Sequence, residues 1–324
     1  MSGSTTETVP PPAATTADSP LAPLATTARE KHRHNAGEPL PSQSAQRGPA
    51  VDCTADSAGG LTFDLRLPVA EAQGGDVGLL LRRRPALSGE TEEIRLPLTP
   101  VQEAEPGTLR AALPSTVRMA EGRWNVFLAL PGRPPRRLAP GVNDLRSLVD
   151  RVPQETRNWL GVRIPYATKH GNLSVRAWMR WPHAEAGTLR VGDGALELAG
   201  RLYGVEVTDT ARLEAWPRRG ETEPVVVDAL AGTDLREFTA VLPYSPLAAN
   251  RLWDLWLRPE KGAEAVRIAR ILDDVPDKKR IFTYPAHAVE PLTGPQPANE
   301  QPTARAKPYY TLNNDLAVRV DRVD

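Results

Sequence analysis

The sequence predicts an all-β protein in which two tandem immunoglobulin-like β-sandwiches follow a disordered N-terminal tail. Three observations support this prediction. The first 52 residues have the composition of an unfolded chain, short runs with a period of two begin at Leu61, and the second half of the chain repeats landmarks of the first half in the same order.

Residues 1–52 are dominated by Ser, Thr, Ala and Pro, including the run Val9-Pro10-Pro11-Pro12. They show no sustained period of 2 or 3.6 residues, so we expect a disordered tail. The first residues lack the basic and apolar regions of a signal peptide, and no later stretch reaches the ~18 apolar residues of a membrane span. With a single cysteine, Cys53, these features lead us to expect a cytoplasmic protein.

Residues 53–158 contain the runs expected of a first sandwich. Leu61-Thr62-Phe63-Asp64-Leu65-Arg66-Leu67 alternates apolar and polar residues, as a strand with one buried face does. Further apolar runs follow, each separated from the next by Gly, Pro or polar turn residues: 77–81, 93–96, 109–113 and 124–130.

An internal repeat predicts the second sandwich, over residues 159–290. Its main block aligns 109–130 with 238–259, without a gap and at an offset of 129 residues. The matched pairs include Ala111/Ala240, Leu113/Leu242, Pro114/Pro243, Trp124/Trp253 and Leu128/Leu257. A weaker block sets 60–63 against 172–175.

A last block aligns residues 165–176 with 308–319 at an offset of 143. Between it and the second sandwich, residues 291–306 are predicted to form a Pro-rich loop. We therefore expect 307–324 to fold back as a strand that completes the second sandwich, with a truncated third repeat as the alternative.

Charge and motifs exclude several functions. Lys plus Arg equals Asp plus Glu at 40 each, so no global field favours a nucleic-acid partner. The chain has neither a nucleophile elbow nor a phosphate-binding P-loop, and no HExxH spacing. We therefore expect no catalytic motif, no cofactor and no metal, and we interpret the acidic run Asp273-Asp274-Val275-Pro276-Asp277 as a turn.

Aromatic residues are the candidate ligand-binding side chains. Trp124 and Trp253 occupy repeated strand positions and are expected in the cores. Further aromatic residues could stack on sugar rings if their faces are exposed. Trp256 lies three residues from Trp253, so the two point to opposite sides of a strand. The candidates are Trp178, Trp181, Trp216, Trp256 and Tyr203.

Arginines recur in pairs or triplets near predicted strand ends, at Arg82-Arg83-Arg84, Arg136-Arg137 and Arg218-Arg219. Guanidinium groups at such positions either bind phosphate or pair with neighbouring carboxylates. The overall balance of charge favours pairing.

Three stretches, residues 166–176, 253–258 and 310–316, resemble accessory β-domains of actinobacterial glycosyl- and glycerophosphotransferases, and the resemblance covers roughly residues 55–320. Those families build or decorate cell-wall glycopolymers with separate catalytic domains, and nothing in this chain resembles such a domain. The resemblance therefore implies an accessory role.

The sequence leaves three functions open. The leading hypothesis is a non-enzymatic module that binds a partner protein or a glycan, attached to cell-wall glycopolymer synthesis. A transferase with a site between the two domains is the first alternative, using Asp273, Asp274, Arg267 and Arg270. The second alternative is a carbohydrate-binding module that uses the aromatic candidates.

Overall fold

The computed structural model describes residues 48–72, 75–84, 92–153, 158–192, 194–289 and 304–323. The predicted tail lies outside these residues except for 48–52, and its last three positions already belong to the first strand. Most of the predicted Pro-rich loop also lies outside them, but residues 304–306 begin a strand. No helix in the described part of the chain is both long enough and apolar enough to cross a membrane.

Eleven strands surround the first hydrophobic core, with one short helix, α1 Val69–Ala72, between the second and the third. The strands are β1 Ala50–Ala55, β2 Leu61–Arg66, β3 Gly78–Arg83, β4 Glu93–Pro97, β5 Thr99–Pro100, β6 Thr108–Leu113, β7 Gly122–Ala129, β8 Arg136–Arg137, β9 Ala139–Asp144, β10 Leu160–Ala167 and β11 Leu173–Arg180.

These strands form two sheets, with the orders β5-β6-β2-β1-β9 and β10-β11-β7-β3-β4, and β8 lies beside β7. The predicted alternation in β2 is confirmed, because Leu61, Phe63 and Leu65 are buried and the residues between them are not. The core also includes Trp124 and Trp178.

Ten strands build the second core. They are β12 His183–Gly192, β13 Ala195–Tyr203, β14 Arg212–Pro217, β15 Val225–Ala231, β16 Glu237–Pro243, β17 Leu252–Arg258, β18 Val266–Ala269, β19 His287–Ala288, β20 Ala304–Tyr310 and β21 Leu316–Arg322. Short 3-10 turns lie at Arg146–Leu148, Ser245–Ala249 and Lys278–Arg280.

The ten-stranded sheet of the second core closes on itself through seven of its strands, which corrects the expected sandwich. The order β14-β15-β16-β13-β12-β18-β17 returns to its start because β14 pairs with both β15 and β17. Closure removes the open edges of a sheet. The mostly β fold is confirmed, whereas immunoglobulin-like topology is not. Parallel pairing of β1 with β9 and of β12 with β18 adds connections that a purely antiparallel sandwich lacks.

The strands that carry Trp124 and Trp253 have matching neighbours. Val175 of β11 pairs with Trp124, and Val318 of β21 pairs with Trp253. Both indole N–H groups donate to backbone carbonyls just before their strands, that of Trp124 to Ala120 O at 3.0 Å and that of Trp253 to Leu247 O at 2.8 Å. The hairpin β20-β21 therefore occupies the register against β17 that β10-β11 occupies against β7.

The same registers correct one block of the sequence alignment. In the sheets, Leu61 pairs with Leu113 and Leu196 pairs with Leu242. The main block of the sequence alignment matches Leu113 to Leu242. The counterpart of Leu61 is thus Leu196, and the alignment of residues 60–63 with 172–175 is wrong. Strands β10 and β11 pack in the first core although residues 159–180 fall in the predicted second sandwich, and Ala269, Ile271 and Leu272 also belong to the first core.

Candidate functional site: the aromatic face of the second barrel

Strands β14 and β17 lie antiparallel and present alternate residues to the outside of the second barrel. Leu213 and Ala215 face the core together with Leu255 and Leu257, and all four are fully buried. Their neighbours form the outer surface because successive side chains of a strand point to opposite faces. We call this surface the aromatic face, and its members are Glu214, Trp216, Asp254, Trp256, Arg258 and, from β18, Arg267.

Trp216 is the most exposed aromatic residue on this face, at 43%. Its indole N–H donates to Glu214 Oε2 at 2.8 Å. Arg258 donates from Nε to Glu214 Oε1 at 2.5 Å and from Nη2 to Oε2 at 3.2 Å, so Glu214 holds both neighbours. The hydrogen bonds that Arg258 donates to Glu214 also raise the pKa of Arg258. The indole is therefore fixed by its polar edge and exposes its apolar surface.

Trp256 lies directly opposite Glu214 and is half-buried. The guanidinium carbon of Arg267 lies 5.1 Å from the centroid of its ring, within the range of a cation–π contact. Arg267 also donates to Asp254 Oδ1 at 2.7 Å. One side of the Trp256 ring is thus covered by the guanidinium of Arg267, which Asp254 holds in place.

Asp254 forms ion pairs with two arginines, Arg218 and Arg267. Burial alone would raise the pKa of Asp254, but the hydrogen bonds and charges of these arginines outweigh burial and lower it. Asp254 therefore carries a negative charge at neutral pH. The aromatic face thus combines two carboxylates and two indoles with two arginines, and Arg218 holds it from beside β17.

The remaining aromatic candidates lie elsewhere. Trp178 is 1% exposed, and its indole N–H donates to Asn313 O at 3.0 Å, so it offers a ligand no surface. The expectation that Trp178 binds a ligand is corrected on this ground, since a repeated apolar strand buries it in the first core. Trp181 and Tyr203 line a small cavity of about 210 Å³ with Glu206 and Arg236.

The residues proposed for a transferase do not form one site. Arg270, Asp273 and Asp274 line a cleft of about 690 Å³, but Arg267 lies on the aromatic face and pairs with Asp254. The carboxylate of Asp273 is already engaged, since it accepts from the buried Lys278 Nζ, from Val275 N and from Arg270 Nε. Asp273 thus accepts hydrogen bonds that stabilise its own loop, in keeping with the predicted turn. Across the described residues, no group of three or more His, Cys, Asp or Glu side chains could hold a metal ion.

The arginine runs divide into two groups. Some pair with carboxylates, as Arg82 does with Glu93 at 2.5 Å and Arg83 with Glu92 at 2.6 Å. Arg84 and Arg137 have no carboxylate partner among the described residues. The expectation of pairing is therefore confirmed for the first two residues of the triplet and wrong for the third.

Sequence reasoning found Trp216 and Trp256 but missed the polar residues that hold them. Glu214 and Arg258 each lie two residues from a candidate tryptophan, on the same side of the same strand. That spacing was the available signal. The pairing of β14 with β17, which brings Glu214 opposite Trp256, has no signature in the sequence.

Comparisons with known proteins show no family for this chain. No family model matches the chain, and no curated protein matches it. Among solved structures, a crystal structure of residues 217–571 of TarS from S. aureus matches at 18% identity with a TM-score of 0.27. The match covers 60% of this chain and 55% of that chain, so the chain spans about half the length of its match. A TM-score this low carries no argument about function.

Proposed function

We propose that this protein is a non-catalytic binding module, and that the aromatic face of the second barrel binds a glycan. The exposed Trp216 beside Trp256 is the observation that carries the proposal. The matching registers of β7-β11 and β17-β21 support the proposal that the scaffold consists of two related β-domains.

A glycan fits this face for two reasons. The apolar side of a sugar ring stacks on an exposed indole, and sugar hydroxyls donate to carboxylates and accept from guanidinium groups. Trp216 supplies the indole, and Glu214 and Asp254 stand with their arginines beside it. Because ion pairs already hold these side chains, binding costs little side-chain entropy.

The face is open and carries no group free to act as a nucleophile or a general base. Both oxygens of Glu214 accept from Trp216 or Arg258, and Asp254 is held by two arginines. These contacts suit recognition. The sequence resemblance to accessory domains of cell-wall glycosyl- and glycerophosphotransferases favours a cell-wall glycopolymer as the source of the glycan.

A glycan array probed with the full chain, followed by calorimetry on the strongest hit, tests the proposal. We expect Trp216→Ala to abolish binding or weaken it by about tenfold or more, the loss of one aromatic contact. Val241→Ala is the control, because Val241 is 57% exposed on β16, a strand that pairs with neither β14 nor β17. Absence of any glycan hit, or a Trp216→Ala variant that binds like the parent, would overturn the proposal.

A further inference from the structure

A large cleft lies over strands of the first core and shares no residue with the aromatic face. It has a volume of about 860 Å³ and opens over one side of the strand pair β7-β11, bounded by residues 276–281 and by Leu312. We call it the basic cleft. Its cationic side chains are Arg84, Arg123, Arg137, Lys169, Arg176 and Arg280.

The arginines of the basic cleft face one another across strands. Arg123 of β7 is paired in register with Arg176 of β11, and like charges directly opposite destabilise a sheet. Among the described residues, no carboxylate lies within ion-pair distance of Arg84, Arg123, Arg137 or Arg176. The nearby Glu121 and Asp315 both pair with Arg180 instead. One carboxylate, Asp277, also lines the cleft, and its side chain accepts from Lys279 N. Six cationic side chains against one carboxylate leave an excess of positive charge here, although the net charge of the protein is zero.

Two of these arginines keep buried donors without partners. Arg176 is 5% exposed, and its Nε makes no hydrogen bond although Nη2 donates to Asn313 Oδ1 at 2.9 Å. Burial and then repulsion from Arg123 lower the pKa of Arg176 to about 10. The Nε of Arg137 is likewise unpartnered. A buried donor without an acceptor costs free energy that an anionic ligand would recover.

The guanidinium groups of Arg84 and Arg137 share one neutral acceptor, the Ser174 hydroxyl, and Nη2 of Arg137 also donates to Leu173 O at 2.9 Å. Nη2 of Arg84 and Nη2 of Arg137 lie 3.4 and 3.3 Å from Ser174 Oγ. Ser174 Oγ lies 3.2 Å from Asn125 Oδ1, which accepts from Arg84 Nε at 3.0 Å. Neutral acceptors thus hold two cationic groups side by side, and two adjacent guanidinium forks match the oxygen geometry of a phosphate.

The mouth of the cleft is apolar. Ile281 is 62% exposed and Leu312 is 52% exposed, and both line the cleft near Tyr166. Large exposed aliphatic residues next to a charged floor suit a ligand that joins an anion to an organic group. A volume near 860 Å³ is that of a small-molecule site, whereas a polyanion would need a stripe of charge along the surface.

We propose that the basic cleft binds a small organic phosphate. Its phosphate oxygens contact the guanidinium groups of Arg84, Arg123, Arg137 and Arg176, and its organic part lies against Ile281 and Leu312. The ligand is a phosphate ester or a diphosphate ester. This inference is independent of the proposed function, because no residue of the basic cleft belongs to the aromatic face.

Calorimetry on the full chain with two probes, uridine diphosphate and inorganic pyrophosphate, tests the inference. We expect both to bind and the nucleotide to bind more tightly. Arg123→Gln is the informative variant, because the side chain of Arg123 makes no hydrogen bond among the described residues, so its loss leaves the fold intact. This variant should bind both probes about tenfold more weakly, which is the effect of losing one charge-assisted contact.

Arg95→Gln is the control, since Arg95 lies on β4 outside the cleft and pairs with Asp76 at 2.9 Å. It should leave both affinities unchanged, and added NaCl should weaken binding to the parent chain. Ile281→Ser should remove the preference for the nucleotide over pyrophosphate. No binding of either probe at about 1 mM would overturn the inference. Equal binding by the folded Arg123→Gln variant, or tighter binding of single-stranded nucleic acid than of both probes, would also overturn it.

Discussion

Trp216 donates its indole N–H to Glu214 Oε2 over 2.8 Å, and the same carboxylate accepts from Arg258. Since the Glu214 side chain is only 7% exposed, its replacement leaves the guanidinium of Arg258 without its partner. We expect Glu214→Ala to lower the free energy of unfolding by about 2–4 kcal/mol and to weaken glycan binding as well.

Urea denaturation measures the first effect. Glu197→Ala is the matched control, since Glu197 is exposed and lies 3.8 Å from Arg190, and it should cost at most about 0.5 kcal/mol. Equal stability of the Glu214→Ala and Glu197→Ala variants would contradict the anchoring role of Glu214.

Cys53 is buried in the first core, and burial raises the pKa of its thiol to about 12. A group whose pKa is raised on folding contributes its full stability below the unfolded pKa, near 8.5. That contribution is lost as the pH rises from about 8.5 towards 12. We expect the parent chain to lose stability over this window more steeply than Cys53→Ala does.

Denaturation at several alkaline pH values measures this difference. A thiol reagent at mildly alkaline pH should label Cys53 only after unfolding. Rapid labelling of the native protein would show that Cys53 is not buried.

The hairpin β20-β21 closes the second core, with Val318 fully buried opposite Trp253. Val318→Ala should lower the free energy of unfolding by about 1–3 kcal/mol because it leaves a cavity. Val241→Ala should have almost no effect, since Val241 is 57% exposed on β16. Deletion of residues 304–323 should lower the melting temperature of the second core. An unchanged melt would mean that the hairpin is an appendage.

Arg180 pairs with Glu121 at 2.6 Å and with Asp315 at 2.9 Å, and thereby joins β11 to the turn of the C-terminal hairpin. Asp315 and Arg180 are both largely buried, so Arg180→Gln leaves a buried carboxylate unpaired and should cost about 3 kcal/mol in thermal or urea unfolding. Arg146→Gln, at an exposed pair with Asp144, is the control and should cost little. A cost for Arg180→Gln no larger than that of the control would exclude this coupling.

Local patterns in the sequence predicted the strands but not their closure. Alternation located β2, and the Trp124/Trp253 alignment located two equivalent strands, because both signals depend on neighbours along the chain. The pairing of β14 with β17, which closes the sheet, joins residues about 40 positions apart, and no local period in the sequence records it. For this reason the sequence predicted a sandwich where the structure has a closed barrel.

The candidate sites show the same limit. Exposed aromatics were predicted, yet only the structure brings Trp216 beside Glu214 and buries Trp178. The basic cleft had no sequence signature. Its arginines are spread over more than 90 positions, and other arginines in the same stretch form ion pairs with carboxylates; those of the cleft are Arg84, Arg123, Arg137 and Arg176. The net charge of zero predicted that arginines pair with carboxylates, but it did not predict which arginines lack such a partner.

The central claim is tested most directly by the indole N–H signals of the tryptophans in a titration with the strongest glycan from the array. Assignment uses single Trp→Phe variants. We expect shifts confined to Trp216 and Trp256, with Trp124, Trp178 and Trp253 unchanged because they are buried. Shifts at Trp181 alone, or none at Trp216 under saturating glycan, would contradict binding at the aromatic face.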